Sequence, residues 1–310
     1  MPRIRRLSLR PFGAHLAVTS DDERVIEACR PALARFPDDA GCTGSFHLDA
    51  TTVPDGTADP AWPLTRLDAG ADGLELWCGT GHLRVELSAG TARLALPPAL
   101  LAEPDAVRMF VEGALSSLLI GGGQLHAVHS GLVARHGRSL LLRGPSGAGK
   151  STLTYAALRA GFQVVSDDWV YGVAGRPPTW LWGYPWRVFL VADAAARFPE
   201  LAGVEPVAHP GADRWKIPVE PPPARRRKGA RVDAVVFLDP DGDLGLDPVE
   251  LGEARRRFWD PALPTERRDL PASWIDELID RPRYVLRRGI DPDAAVAALD
   301  RLTRTLPAAS

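Results

Sequence analysis

The run Gly144-Pro-Ser-Gly-Ala-Gly-Lys150-Ser151 matches the pattern G-x-x-x-x-G-K-[ST] in full, and no other stretch constrains the chain as strongly. An apolar segment, Ser139 to Arg143, precedes it and reads as a buried strand; Thr152 to Ala160 follows and reads as a helix. A strand, a glycine-rich turn and a helix together aim free backbone N–H groups and the positive helix end at a polyphosphate. Glycine lets the backbone wrap closely around an anion, Lys150 reaches its outer phosphates, and the Ser151 hydroxyl suits Mg²⁺. The chain holds 29 glycines but only three lysines, Lys150, Lys216 and Lys228, so composition alone does not generate the match. The reading is a nucleotide site with Mg²⁺, lined by Gly144, Pro145, Ser146, Gly147, Ala148, Gly149, Lys150, Ser151 and Thr152.

The length of 310 residues suggests two domains, or one domain with a substantial extension. A net charge of -2 predicts neither a nucleic-acid nor a membrane surface. Cys29, Cys42 and Cys78 are widely spaced, with no C-x-x-C pair, which argues against a disulfide framework or a zinc site and for a reducing compartment. The first residues lack the apolar core of a signal peptide, and no segment has the length of a membrane span, so a cytoplasmic protein is expected.

Residues 1–105 read as a smaller β-rich α+β domain. Strands are expected at Ile4 to Leu9, Ala14 to Val18, Leu74 to Trp77, His82 to Leu87 and Ala92 to Leu96, with a helix from Asp21 or Asp22 to about Phe36 that Pro31 kinks or ends early. Pro97-Pro98 marks a joint. Residues 106–310 read as an α/β domain, opening with a buried helix from Val107 to Ile120 and one strand from Leu125 to Val133. After the phosphate-loop helix, Phe162 to Val165 forms a strand that ends in Ser166-Asp167-Asp168. Two carboxylates at the carboxyl end of a strand beside a phosphate loop stand where α/β folds place metal and proton chemistry; the alternative is a capping or turn role. Further strands are expected at Thr179 to Trp182, Arg187 to Val191, Trp215 to Val219 and Val232 to Leu238, and helices at Ala192 to Phe198, Ser273 to Ile279 and Pro292 to Leu306. Pro221 to Gly229 reads as an exposed, mobile loop, whose Arg225 to Lys228 run is either solvated or a dock for an acidic acceptor. Arg187 and Lys216 are candidates to hold a phosphate or acceptor, or to form surface ion pairs. Trp180, Trp182, Tyr184 and Trp186 alternate and are expected to pack, the alternative being an aromatic wall for a peptide.

His129, the loop Gly144 to Ser151, and Val165-Ser-Asp167-Asp168 stand in an order and spacing that resemble the catalytic domain of bacterial HPr kinase/phosphorylase. The likeness extends to HPr-kinase-like kinases found beside lasso-peptide maturation enzymes. It covers about forty residues, His129 to Tyr171, and implies a P-loop α/β domain of the HPr kinase/PEP-carboxykinase-like kind. It also implies phosphoryl transfer from ATP to a serine hydroxyl on a peptide or protein. Carried over by position, Asp167 takes the acceptor proton, Asp168 joins Ser151 at the metal, His129 lies near the transferred phosphate, and Lys150 and Arg187 complete the catalytic set. The Glu-Ile-Arg-Gly segment of true HPr kinases has only a partial echo in Pro185-Trp186-Arg187, without its carboxylate, which argues against a reverse phosphorylase activity and against recognition of HPr. A kinase for a small hydroxyl metabolite and a nucleotide-gated regulator stay open as alternatives, and the resemblance admits a homo-oligomer.

Overall fold

The computed structural model describes residues 4–56, 62, 65–70, 72–209, 215–287, 289 and 291–307. The chain divides into two compact units: Met1–Leu125 with Glu205–Lys216, and His126–Val204 with Ile217–Ser310.

The first unit is built on a seven-stranded mixed sheet. Its strands are β1 (Arg5–Leu9), β2 (His15–Ser20), β3 (Ser45–Thr52), β4 (Arg66–Ala69), β5 (Gly73–Cys78), β6 (Gly81–Glu86) and β7 (Thr91–Leu96), in the spatial order β1-β2-β3-β7-β6-β5-β4. β3 pairs parallel with both neighbours, and every other pairing is antiparallel. Helix α1 (Glu23–Leu33) is capped by Asp22, whose carboxylate accepts the Arg24 amide at 2.9 Å, and it closes two residues after Pro31. The short α2 (Pro98–Leu101) leads into α3 (Pro104–Gly121), which packs on α1 and on the sheet through Val107, Phe110, Val111, Ala114, Leu115 and Leu118. That i, i+3, i+4, i+7 stripe is what a helix lying on a sheet requires. The break between units therefore falls at Leu125, not near residue 105: the apolar face of α3 is spent on the first sheet.

In the second unit, β8 (Leu125–His129) and β9 (Gly131–Arg135) are two strands in two different sheets, where the sequence suggests one continuous strand. The chain switches sheets at Ser130, which is fully buried. Then follow β10 (Arg138–Arg143), α4 (Lys150–Arg159), β11 (Gln163–Ser166), β12 (Trp169–Val173), β13 (Trp180–Gly183), β14 (Val188–Val191) and the single turn α5 (Ala192–Ala195). The chain then returns to the first unit for β15 (Val207–Ala208), paired with the start of β16 (Trp215–Val219), before β17 (Gly229–Arg231), β18 (Ala234–Asp239) and β19 (Gly245–Pro248) of the second. Three helices, α6 (Leu251–Trp259), α7 (Pro264–Asp269) and α8 (Ala272–Ile279), precede β20 (Arg283–Arg287) and α9 (Pro292–Thr305).

The six-stranded sheet runs β11-β9-β10-β18-β20-β19. β10, β18 and β20 are parallel neighbours, and β11 runs with them because β9 is antiparallel to both β10 and β11. Both faces of this sheet are buried: one in an apolar cluster containing Leu140, Leu142, Leu153, Phe162, Val236 and Leu299, the other in a cluster containing Leu141, Val165, Val235, Phe258 and Ile275. Two buried faces account for the near-continuous apolar runs of β10 and β18. A four-stranded sheet, β17-β13-β12-β8, completes the unit. Pairing of Gly131 with Leu142 and of Leu132 with Ser166 brings the beginning of β9 and the carboxyl ends of β10 and β11 to one edge. Gly131 eases the close approach there, because a Cβ would stand 3.0 Å from the Thr154 hydroxyl.

Candidate active site

β10 delivers the chain into the loop, and the loop turns into α4. Gly147 and Gly149 take φ of +81° and +90°, the left-handed region that a side chain makes costly, and Gly149 accepts the Leu153 amide at 2.8 Å as the first helical bond. Nothing stands within 4 Å of where a Cβ of Gly147 would lie, so that side of the loop is open. Lys150 folds back over the loop, its Nζ donating to the carbonyls of Gly144 at 2.8 Å and Pro145 at 3.1 Å. Burial, with the nearby Arg143 charge second, pulls its pKa down to about 8. An ammonium parked on two loop carbonyls beside open amides fits a polyphosphate, which would give that charge a stronger partner.

The two aspartates occupy different surroundings. Asp167 is 7% exposed; its Oδ2 accepts the Phe189 amide of β14 at 3.1 Å, and the neighbouring Ser151 hydroxyl favours its charged form. Burial first, and the Asp168 charge second, push its pKa up to about 7. The Asp168 side chain is 58% exposed and its Oδ1 lies 2.9 Å from Nε2 of His129, whose ring is tilted against Trp169 with centroids 5.3 Å apart. The turn is held by Ser166, whose Oγ donates to the Trp169 carbonyl at 2.7 Å and accepts the Asp168 amide at 3.3 Å.

Beneath this edge lies an ion pair that sequence reasoning did not single out. Arg143, the last residue before the loop, and Glu266 of α7 are both fully buried, with Nη1 to Oε1 at 2.7 Å and Nη2 to Oε2 at 3.2 Å. Arg143 also donates to the carbonyls of His129 at 2.9 Å and Phe258 at 2.9 Å, and its guanidinium lies 4.4 Å from the centre of the Phe258 ring. Glu266 accepts the amides of His129 at 2.9 Å and Leu263 at 2.8 Å. Both backbone polar groups of His129 are thus held by one buried pair. A charged residue closing a run of leucines was the only local sign, and its partner is 123 residues away.

Arg187, two residues before Phe189, pairs with Glu220 at 3.1 Å. Lys216 lies in the strand pair opposite Val207, within the first unit. The aromatic run packs only in part: Trp180 is 41% exposed and meets the half-buried Trp182 edge to face at 5.8 Å, and Tyr184 lies 5.1 Å from Tyr171. The segment Pro221 to Gly229 is exposed at Pro222 to Arg225 and at Lys228, as expected of a surface loop, but it is tied down at several points. Arg226 stacks 4.9 Å over Trp186 and bonds the Pro221 carbonyl, the Arg227 amide bonds the Val164 carbonyl at 2.9 Å, and the Lys228 carbonyl accepts the Gly183 amide at 2.9 Å.

Among the described residues no group of three or more His, Cys, Asp and Glu side chains converges as a metal site. The donors present, the Ser151 hydroxyl and the adjoining carboxylates, suit Mg²⁺ held jointly with phosphate oxygens and water. No helix of the described residues is long and apolar enough to cross a membrane.

The chain matches no family model and no curated protein. Among solved structures it is similar to the Hpr(Ser) kinase/phosphatase from Coxiella burnetii, at 14% identity and a TM-score of 0.29, over 58% of this chain and 96% of that one.

Proposed function

We propose that the chain is an ATP-dependent phosphotransferase, a kinase acting on a serine hydroxyl of a peptide or protein. The observation that carries this reading is the meeting, at one sheet edge, of a phosphate loop and an exposed carboxylate paired with His129 at 2.9 Å. Mg-ATP, when bound, supplies the phosphoryl group and, through the metal, neutralises its charge. Residues Gly144 to Thr152 would hold the phosphates, with Lys150 leaving its loop carbonyls for them. The two aspartates exchange the roles expected from their order. Asp167, buried and beside Ser151, belongs with the metal side of the site, whereas Asp168, exposed beside His129, is the carboxylate an incoming hydroxyl can reach. Asp168 would accept the hydroxyl proton, and His129 would fix the direction of its lone pairs. The serine acceptor rests on the resemblance of His129, the loop and the double aspartate to HPr-kinase-like kinases.

The test is incubation with γ-labelled ATP, Mg²⁺ and serine-bearing peptides, the labelled residue being located by mass spectrometry. Transfer to serine is expected, slowed about 10²–10⁴-fold in Asp168→Asn while nucleotide affinity stays near that of the parent. Unchanged transfer in Asp168→Asn overturns its role as proton acceptor. Absence of transfer to any hydroxyl by the parent overturns the kinase reading.

A further inference from the structure

A cleft of about 380 Å³ opens at the far end of α4 from the phosphate loop, between the β9–β10 turn, the end of α4 and the segment Pro221 to Gly229. Ten helical residues separate the two places by about 15 Å. Small residues, Gly137, Ala160 and Gly161 among them, leave the space, and Arg135, Arg225 and Arg227 border it, with His136 and no carboxylate.

Each guanidinium is tied on one side only. Arg135 gives its Nε to Asp300 at 3.0 Å and rests 5.2 Å over the Phe162 ring. Arg225 uses Nη1 to cap the Gly161 carbonyl at the end of α4. Arg227 gives its Nε to the Gly229 carbonyl at 2.9 Å and lies 5.8 Å over Trp180. Among the described residues, the Nη groups of Arg135 and Arg227 and the Nη2 of Arg225 bond nothing in the protein. Asp300, the carboxylate that pairs with Arg135, lies outside the lining and is shared with His136 at 2.9 Å and Arg304 at 3.0 Å. Three forks whose stems are already fixed lose little further freedom on binding, and planar forks match the oxygens of a phosphoryl group.

We propose that this cleft is a second anion site, which binds a small molecule carrying two or more phosphoryl groups, independently of the phosphate loop. The Arg-rich run that looks in sequence like a solvated loop is one wall of it.

Calorimetric titration of the full chain with pyrophosphate at fixed ionic strength tests the assignment, using Lys150→Ala to weaken the loop and Arg225→Gln with Arg227→Gln to weaken the cleft. Pyrophosphate binding is expected to persist in Lys150→Ala and to weaken at least tenfold when the two arginine substitutions are added. Thermal melting checks that the variants are folded. If Arg225→Gln lowers the melting temperature by freeing the end of α4, Arg227→Gln alone decides, with a drop in affinity still expected. Binding that disappears in Lys150→Ala, or that survives the arginine substitutions unchanged, overturns the proposal. Citrate is expected to bind more weakly than pyrophosphate, and the reverse order overturns the phosphoryl assignment.

Discussion

Arg143 and Glu266 face each other at 2.7 Å with neither side chain reaching solvent, and between them they hold the amide and the carbonyl of His129. Removing one charge of such a pair leaves the other unmatched in an apolar interior, at a cost of about 3–5 kcal/mol. Glu266→Gln is therefore expected to lower the urea midpoint sharply. Adding Arg143→Met removes the stranded charge and keeps an oxygen for the His129 amide, so the double variant should unfold at a higher urea concentration than Glu266→Gln alone.

Lys150 is expected to dominate nucleotide affinity. A fluorescent ATP analogue should bind Lys150→Ala at least tenfold more weakly than the parent, the scale on which one charge-assisted hydrogen bond matters in a partly dry site. Lys228→Ala, whose side chain stands outside the loop, should bind like the parent.

Asp167 makes stability depend on pH in a defined window. Its folded-state pKa is raised from 3.8 to about 7, so the folded chain holds a proton that the unfolded chain releases. Its contribution is full below pH 3.8 and is lost as pH rises through about 7. Lys150, lowered from 10.5 to about 8, acts in a separate window, its contribution being lost as pH falls through about 8. Melting temperatures of parent and Asp167→Asn should accordingly diverge between pH 4 and pH 7, with the Asn variant gaining relative to the parent, and run parallel between about pH 7 and 8.

Trypsin offers a direct check on the Arg225 to Lys228 run. A solvated loop with four consecutive basic residues would be cut early, but here backbone bonds to Val164 and Gly183 and the stacking of two arginines on tryptophans hold it. Early tryptic fragments, identified by mass spectrometry, should leave the bonds after Arg226 and Arg227 intact. Rapid cleavage there would contradict the pinned structure.

The parts of the fold legible in the sequence are those set by local rules. The loop, its strand and its helix are specified by glycine placement and an apolar run, and α3 and α9 by their stripes. β3 carries no such signal, because only Leu48 and Ala50 of its eight residues are buried, among His, Asp and Thr. The sheet switch at Ser130 was hidden because both flanking strands are apolar and no glycine or proline pair interrupts them before Gly131. α6 and α7 look in sequence like charged, arginine-rich surface segments, although they supply the Phe258 carbonyl and Glu266. The aspartates were legible as a pair and not as individuals. Their difference is one of depth, set by Phe189 and Ser151 on one side and His129 on the other.

The dependence of Arg143 on Glu266 bears on how far this unit can be trimmed. Residues 126–204 contain His129, the whole loop and both aspartates, and would pass any search for those signatures. Severed from residues 205–310, such a piece would lose β18, which pairs with the loop strand, and the one carboxylate that makes a buried guanidinium tolerable at its end. The smallest heritable piece of this site is consequently set by a glutamate that no signature mentions, and a gene fusion or truncation ending before position 266 would carry the motif without its footing.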